Sequence, residues 1–174
     1  MKVILVSGKA ESGKNYVANL IMSSLVPKYS VLQIAFGDYL KFLCRRYLGW
    51  NGKKDEAGRN MLQYVGTSVC RKHDPYFFAS KVVEFLRLFC NKWNYVIITD
   101  WRFMNEYEAM RDFFDVITVR VERPGYVNKF TKEQKEHISE TELDYFDFDW
   151  IIFNDEKVEA KVKTMMEEII NGEH

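Results

Sequence analysis

Proline and cysteine are scarce in this chain, no apolar run approaches membrane length, and neither sign of charge prevails. Three prolines and nine glycines in 174 residues leave no proline- or glycine-rich linker. No internal repeat or low-complexity tract interrupts the sequence either, so one domain accounts for its length. The three cysteines, Cys44, Cys70 and Cys90, are an odd number without metal-ligand spacing. They argue against a disulfide framework or a zinc site and for reduced thiols in a reducing compartment. Nothing comes near the ~20 consecutive apolar residues of a membrane span. The N-terminal run Val3-Ile4-Leu5-Val6 is too short for a secretory signal and serves better as a first strand. With 25 basic residues against 25 acidic ones, there is no global attraction to nucleic acid or lipid. A soluble, cytoplasmic globular protein is expected, and the oligomeric state stays open, a homodimer included.

Hydrophobic residues (47%) and aromatic ones (16%) are plentiful. Much of the aromatic content falls at helical spacing, as in Phe78, Val82, Phe85, Leu86 and Phe89, which predicts a core-facing helix rather than a base-stacking platform. Strands are predicted at Lys2-Val6, Val31-Phe36, Tyr95-Thr99, Val116-Val121 and Trp150-Phe153. Helices are predicted between them at Asn15-Leu25, Gly37-Leu48, Asp55-Cys70, Tyr76-Cys90 and Asn105-Phe113, with a last one over Glu156-Ile170. Alternation of this kind means an α/β sandwich around a five-stranded parallel sheet. Ligands in such sheets bind beyond the carboxyl ends of the strands, which selects the loops starting at Ser7, Phe36, Thr99 and Val121.

The first of those loops carries Gly8-Lys9-Ala10-Glu11-Ser12-Gly13-Lys14-Asn15, a G-x-x-x-x-G-K string between a strand and a helix. Two glycines let the backbone wrap phosphate oxygens, successive N–H groups point inward, and the following helix offers its positive end. Lys14 then reaches the β/γ-phosphates as a mobile charge. The residue after the lysine is usually Ser or Thr, whose hydroxyl binds Mg²⁺. Here it is Asn15, whose amide oxygen is still a hard ligand.

Other polar residues gather at the same edge. Asp38 and Lys41 follow the second strand, where an Asp caps a helix as readily as it contacts substrate. On the segment 58–71, Met61, Leu62, Val65 and Val69 hold the apolar face, which leaves Arg59, Gln63 and Arg71 available to a ligand. An arginine fork suits a phosphate monoester, although each arginine singly reads as a solvated charge. Asp100, at the end of an apolar strand, takes the Walker B position, with a helix cap as its competing explanation. Arg102 and Glu106 are four apart, so an intrahelical pair is an alternative for both. Residues 124–140 read as a charged lid that excludes water. Arg120, Arg123, Lys129, Lys132 and Lys135 are its candidates to meet a triphosphate, and His137 could equally be structural.

These strings, G-K-A-E-S-G-K at 8–14, F-G-D-Y-L-K at 36–41, R-N-M-L-Q-Y-V-G-T at 59–67, T-D-W-R-F-M-N-E at 99–106 and H-I-S-E at 137–140, together resemble the phage-type deoxynucleoside monophosphate kinases. The resemblance implies a three-layer α/β/α P-loop kinase fold, a helical acceptor region at about 37–90 and a lid at about 124–140. It further implies Mg²⁺ with ATP as phosphoryl donor and a (deoxy)nucleoside monophosphate as acceptor. Carried over by position, Gly8, Glu11, Ser12, Gly13, Lys14, Asn15, Tyr16, Arg123 and Asn154 serve ATP. Asp38, Lys41, Arg59, Gln63, Arg71, Trp101, Arg102, Glu106, His137 and Glu140 serve the acceptor. Lys14, Asp100 and Arg102 act on the transferred phosphoryl, and Asn15 and Asp100 on the metal. Two rivals remain: a kinase for another phosphorylated acceptor such as dephospho-coenzyme A, and a nucleotide-binding regulator without turnover. Trp101 after Asp100, where a mechanical ATPase has a catalytic Glu, and the absence of N-K-x-D argue against an ATPase motor and a GTPase.

Overall fold

A computed structural model describes residues 1–53, 55–126, 131 and 135–172. Five strands, β1 (Lys2–Ser7), β2 (Val31–Ile34), β3 (Tyr95–Trp101), β4 (Asp115–Glu122) and β5 (Trp150–Phe153), form one sheet in the order β2-β3-β1-β4-β5. Every pairing is parallel. The glycine loop therefore leaves the central strand, between β3 and β4. The helices are α1 (Lys14–Leu25), α2 (Gly37–Tyr47), α3 (Glu56–Gln63), α4 (Phe77–Leu88), α5 (Met104–Arg111), the short α6 (Ile138–Thr141) and α7 (Val158–Asn171).

Because side chains alternate along a strand, β1 feeds two cores. Ile4 and Val6 face α1 and α7, where Val17, Ile21, Leu25, Val162, Met165 and Ile169 are buried. Val3 and Leu5 face the opposite layer, packed with Phe36, Phe78, Val83, Leu86, Trp101 and Met110. A third, smaller cluster of Cys44, Trp50 and Val65 lies where α2 meets the segment after α3. Strand interiors buried on both sides explain the continuous apolar runs in the sequence.

Several boundaries shift by one or two residues, β3 running on to Trp101 and the last helix starting at Val158, and two differences bear on the site. The second strand ends at Ile34, because Ala35 and Phe36 already turn into α2. The helix expected over Asp55-Cys70 divides into α3 and a widened π-helix, Tyr64–Arg71. Residues 59, 63, 67 and 71 are spaced by four, which overshoots an α-helical turn and rotates each by about 40° from the last. Four residues of the wider π turn fall short of a full rotation, which offsets that drift and leaves Gln63, Thr67 and Arg71 on the same cleft. Among the described residues, no helix is long and apolar enough to cross a membrane.

Candidate active site

The loop after β1 is wound too tightly for side chains at its glycines. Gly8 has φ +152 and Gly13 φ +93. A Cβ on Gly8 would lie 2.4 Å from the Val121 carbonyl oxygen, and one on Gly13 would lie 2.1 Å from Asn154 Nδ2. That Asn154 amide donates to the Ser12 carbonyl at 2.9 Å, tying the loop to the end of β5. Glu11 adopts φ 64, and its carboxylate accepts from the Tyr126 hydroxyl at 2.9 Å. Lys14 Nζ donates to the Gly8 and Lys9 carbonyls at 2.7 and 2.8 Å. Burial, assisted by the charge of Arg102, brings its pKa down to about 7, against the opposing pull of Glu140 and Asp100. The Ser12 hydroxyl is buried with no hydrogen-bond partner, a polar group left over for a ligand of the loop.

A cleft of about 620 Å³ opens between this loop, the start of α2, the face of α3 and its π extension, and the turn after β3. It brings together Glu11, Gly13, Lys14, Asn15, Lys41, Arg59, Gln63, Arg71, Asp100, Arg102, Glu106 and Glu140. Asp100 accepts the Phe36 and Gly37 N–H groups at 2.7 and 2.9 Å, so it caps α2 while facing the cleft. Arg71 lies between the rings of Phe103 (4.1 Å) and Phe78 (4.7 Å) and donates to Glu106 at 2.6 Å. Glu106 is 2% exposed, and burial pushes its carboxyl up to about 7 despite Arg71. Arg102 donates to the Ser139 carbonyl at 2.7 Å and pairs with Glu140, whose other oxygen accepts the Ala10 N–H at 2.9 Å.

A second cavity of about 600 Å³ adjoins the first, sharing Ala10 and Glu140 with it. Ser12, Arg120, Arg123, Tyr126, Lys135 and Phe153 line it. Arg120 is nearly buried, bonded to Ser7 Oγ at 3.3 Å and paired with Asp144 at 3.1 Å. Lys129 and Lys132 lie outside the described residues.

Several expected residues are placed elsewhere. Trp101 is fully buried among Tyr107, Phe146 and Phe148, its indole donating to the Phe103 carbonyl, so it has no surface for an acceptor. Tyr16 points away from both cavities, and its hydroxyl bonds Glu159 of α7 at 2.9 Å. Asp38 caps its own helix, accepting the Ala35 N–H at 2.9 Å and the Lys41 ammonium at 2.8 Å. His137 Nδ1 accepts the Ser139 N–H as the cap of α6, and burial lowers its pKa. The Arg102–Glu106 pair does not form. Glu106 instead accepts the Arg102 backbone N–H, because Arg102 precedes α5 and its side chain turns toward α6. Arg71, singly read as a solvated charge, is half-buried.

Sequence reasoning missed Thr67, Phe103, Lys9 and Asp144. Thr67 and Phe103 line the cleft, and Lys9 bonds Asp144 at 2.5 Å. Thr67 was legible in the four-residue spacing from Arg59. The Lys9–Asp144 pair spans 135 positions and has no local signal.

A parallel sheet in this order, with a glycine loop leaving its central strand and the Asp100 carboxylate beside it, defines a P-loop kinase. The whole-chain likeness agrees on the fold. The Mycobacterium tuberculosis APS kinase matches with a TM-score of 0.54 at 14% identity, over 97% of this chain and 96% of that one. Shikimate kinase from Aquifex aeolicus matches with a TM-score of 0.51 at 18% identity, over 99% and 98%. The model of the family described as deoxynucleotide monophosphate kinase matches residues 37–165, and the chain belongs to that family. The matched span begins after the glycine loop, so loop and match are separate observations. The chain is thus an ATP-dependent nucleotide kinase.

Proposed function

We propose that the protein transfers the γ-phosphoryl group of ATP to a deoxynucleoside monophosphate, with the donor's phosphates on the loop 8–14 and the acceptor in the 620 Å³ cleft. The carrying observation is the convergence of Lys14, Asp100, Arg59, Arg71 and Arg102 on that one cleft. No covalent intermediate is called for. The loop's N–H groups and Lys14 hold the β- and γ-phosphates, and Arg71 and Arg102 hold the acceptor's phosphate in line. As charge spreads over the transferred group, Lys14 and Arg102 stabilise it. The second cavity takes the donor's nucleoside, with Arg123 at its wall. Residues 124–140 serve as the lid in this reading; 127–130 and 132–134 lie outside the described residues, and Pro124, Tyr126 and Lys135 line the cavity.

Among the described residues, no cluster of three or more His, Cys, Asp or Glu could hold a metal by itself. Asn15 and Asp100 nevertheless line the same cleft, which fits Mg²⁺ arriving with the phosphates and keeping most of its waters. When bound, the ion neutralises charge on the β- and γ-phosphates. Asp100, whose carboxylate already holds two N–H groups, would hold the ion through water, and Asn15 would offer its amide oxygen.

The test is a coupled ADP-release assay with Mg-ATP against the nucleoside and deoxynucleoside monophosphates and dephospho-coenzyme A, with a Lys14→Ala control. Turnover on a deoxynucleotide, lost in the control, is expected. Turnover on dephospho-coenzyme A alone would replace the acceptor. Silence throughout, with ATP still bound, would leave a regulator.

A further inference from the structure

Glu106 sits in the first turn of α5 but does not serve that helix alone. One oxygen accepts from Arg71 Nη2 at 2.6 Å. The other accepts the Arg102 N–H at 2.9 Å and the Phe103 N–H at 3.2 Å. A carboxylate that is 2% exposed and takes three donors has no surface left for substrate, although it borders the cleft. Arg71 is held equally closely, with Phe103 and Phe78 on its faces and Glu106 on one edge. A guanidinium has five N–H donors in a rigid fork, so the remaining edge can serve a phosphate in the cleft it lines.

We propose that Glu106 is a positioning residue: it fixes the Arg71 guanidinium and the turn that carries Arg102, so that both arginines meet the phosphate of the acceptor nucleotide. This rests on the reading above that Arg71 binds that phosphate. An unrestrained arginine loses rotamer entropy on being fixed, and here the protein has fixed it before the acceptor arrives. The turn gains as well, since one carboxylate ties two consecutive backbone N–H groups to the arginine 35 positions earlier in the chain.

The experiment measures KM for the acceptor, KM for ATP and kcat in wild type, Glu106→Gln, Arg71→Ala and the double variant, with dAMP, dGMP, dCMP and dTMP as acceptors. Glutamine keeps the shape and one acceptor oxygen but loses the charge that holds the guanidinium. Expected is an acceptor KM raised about tenfold by Glu106→Gln, with KM for ATP within about twofold. In the Arg71→Ala background the same change should cost clearly less, about threefold, because only the turn that carries Arg102 is left for it to fix. Equal cost in both backgrounds, or parallel changes in both KM values, would overturn positioning and leave a general packing role. If Arg71→Ala leaves acceptor KM unchanged, or none of the four is turned over, the acceptor reading fails and the inference falls with it. Should the glutamine variant not fold, Glu106→Asp, which keeps the charge but draws it back from Arg71, gives the same four-way comparison.

Discussion

Gly13 and Asn154 occupy one small space, and the loop's shape depends on it. A methyl at Gly13 would fall 2.1 Å from the Asn154 amide, on a backbone at φ +93. Gly13→Ala therefore adds left-handed strain and displaces the Asn154–Ser12 bond, together about 2 kcal/mol. A Tm drop of roughly 4–8 °C is expected in a thermal melt, with ATP binding lost by calorimetry. Lys14 gives a second residue-scale prediction. Its pKa of about 7 leaves it mostly neutral at ~pH 8.5 in the free protein, and triphosphate charge raises it again. Binding must then take up nearly one proton, and affinity must fall as pH rises above ~7. Calorimetry in buffers of different ionisation enthalpy reads the uptake. Lys14→Arg, which stays charged throughout, should abolish it; uptake that persists in the arginine variant would assign the proton elsewhere.

At the scale of elements, Asp100 joins β3 to α2 by taking the Phe36 and Gly37 N–H groups. The approach is close, since a Cβ on Gly37 would meet the carboxylate at 3.0 Å. Asp100→Asn sets an NH₂ group against one of those donors and should cost roughly 1–3 kcal/mol of stability. It should also lower kcat by about 100-fold in the ADP-release assay. A variant as stable as wild type would mean that the cap contributes little. Asp100 thus caps α2 and lines the cleft as well, while its Walker B role belongs to the proposed mechanism. Elements were legible because strands buried on both faces read as unbroken Val and Ile runs, and the glycine loop is a local string. The widened turn at Tyr64–Arg71 was not, since hydrogen bonds to i+5 leave the apolar pattern nearly unchanged. Trp101 was misplaced for a related reason: the run T-D-W-R alternates faces, so its neighbours face the cleft while it faces Phe146 and Phe148.

Across the molecule, residues 139–144 join the glycine loop to the turn after β3 and to β4. Lys9 meets Asp144 and the Glu140 carbonyl, Arg120 meets Asp144, and Glu140 spans Ala10 N–H and Arg102. None of this is readable locally, because each contact joins segments far apart in the chain. The two cavities share Ala10 and Glu140, so their occupants cannot be independent. A triphosphate that takes the Ala10 N–H removes one anchor of Glu140 and sets its own negative charge against that carboxylate. Glu140 then draws back from the loop and leaves the Arg102 guanidinium readier for the acceptor. Donor and acceptor should therefore tighten each other by the same factor, about fivefold or more. Glu140→Gln, whose neutral amide holds Arg102 less strongly in either state, should bring that factor close to one. The check is acceptor affinity with and without a non-hydrolysable ATP analogue, and analogue affinity with and without acceptor. The two ratios must agree in wild type, and a factor unchanged in the glutamine variant would show that the coupling runs through some other contact.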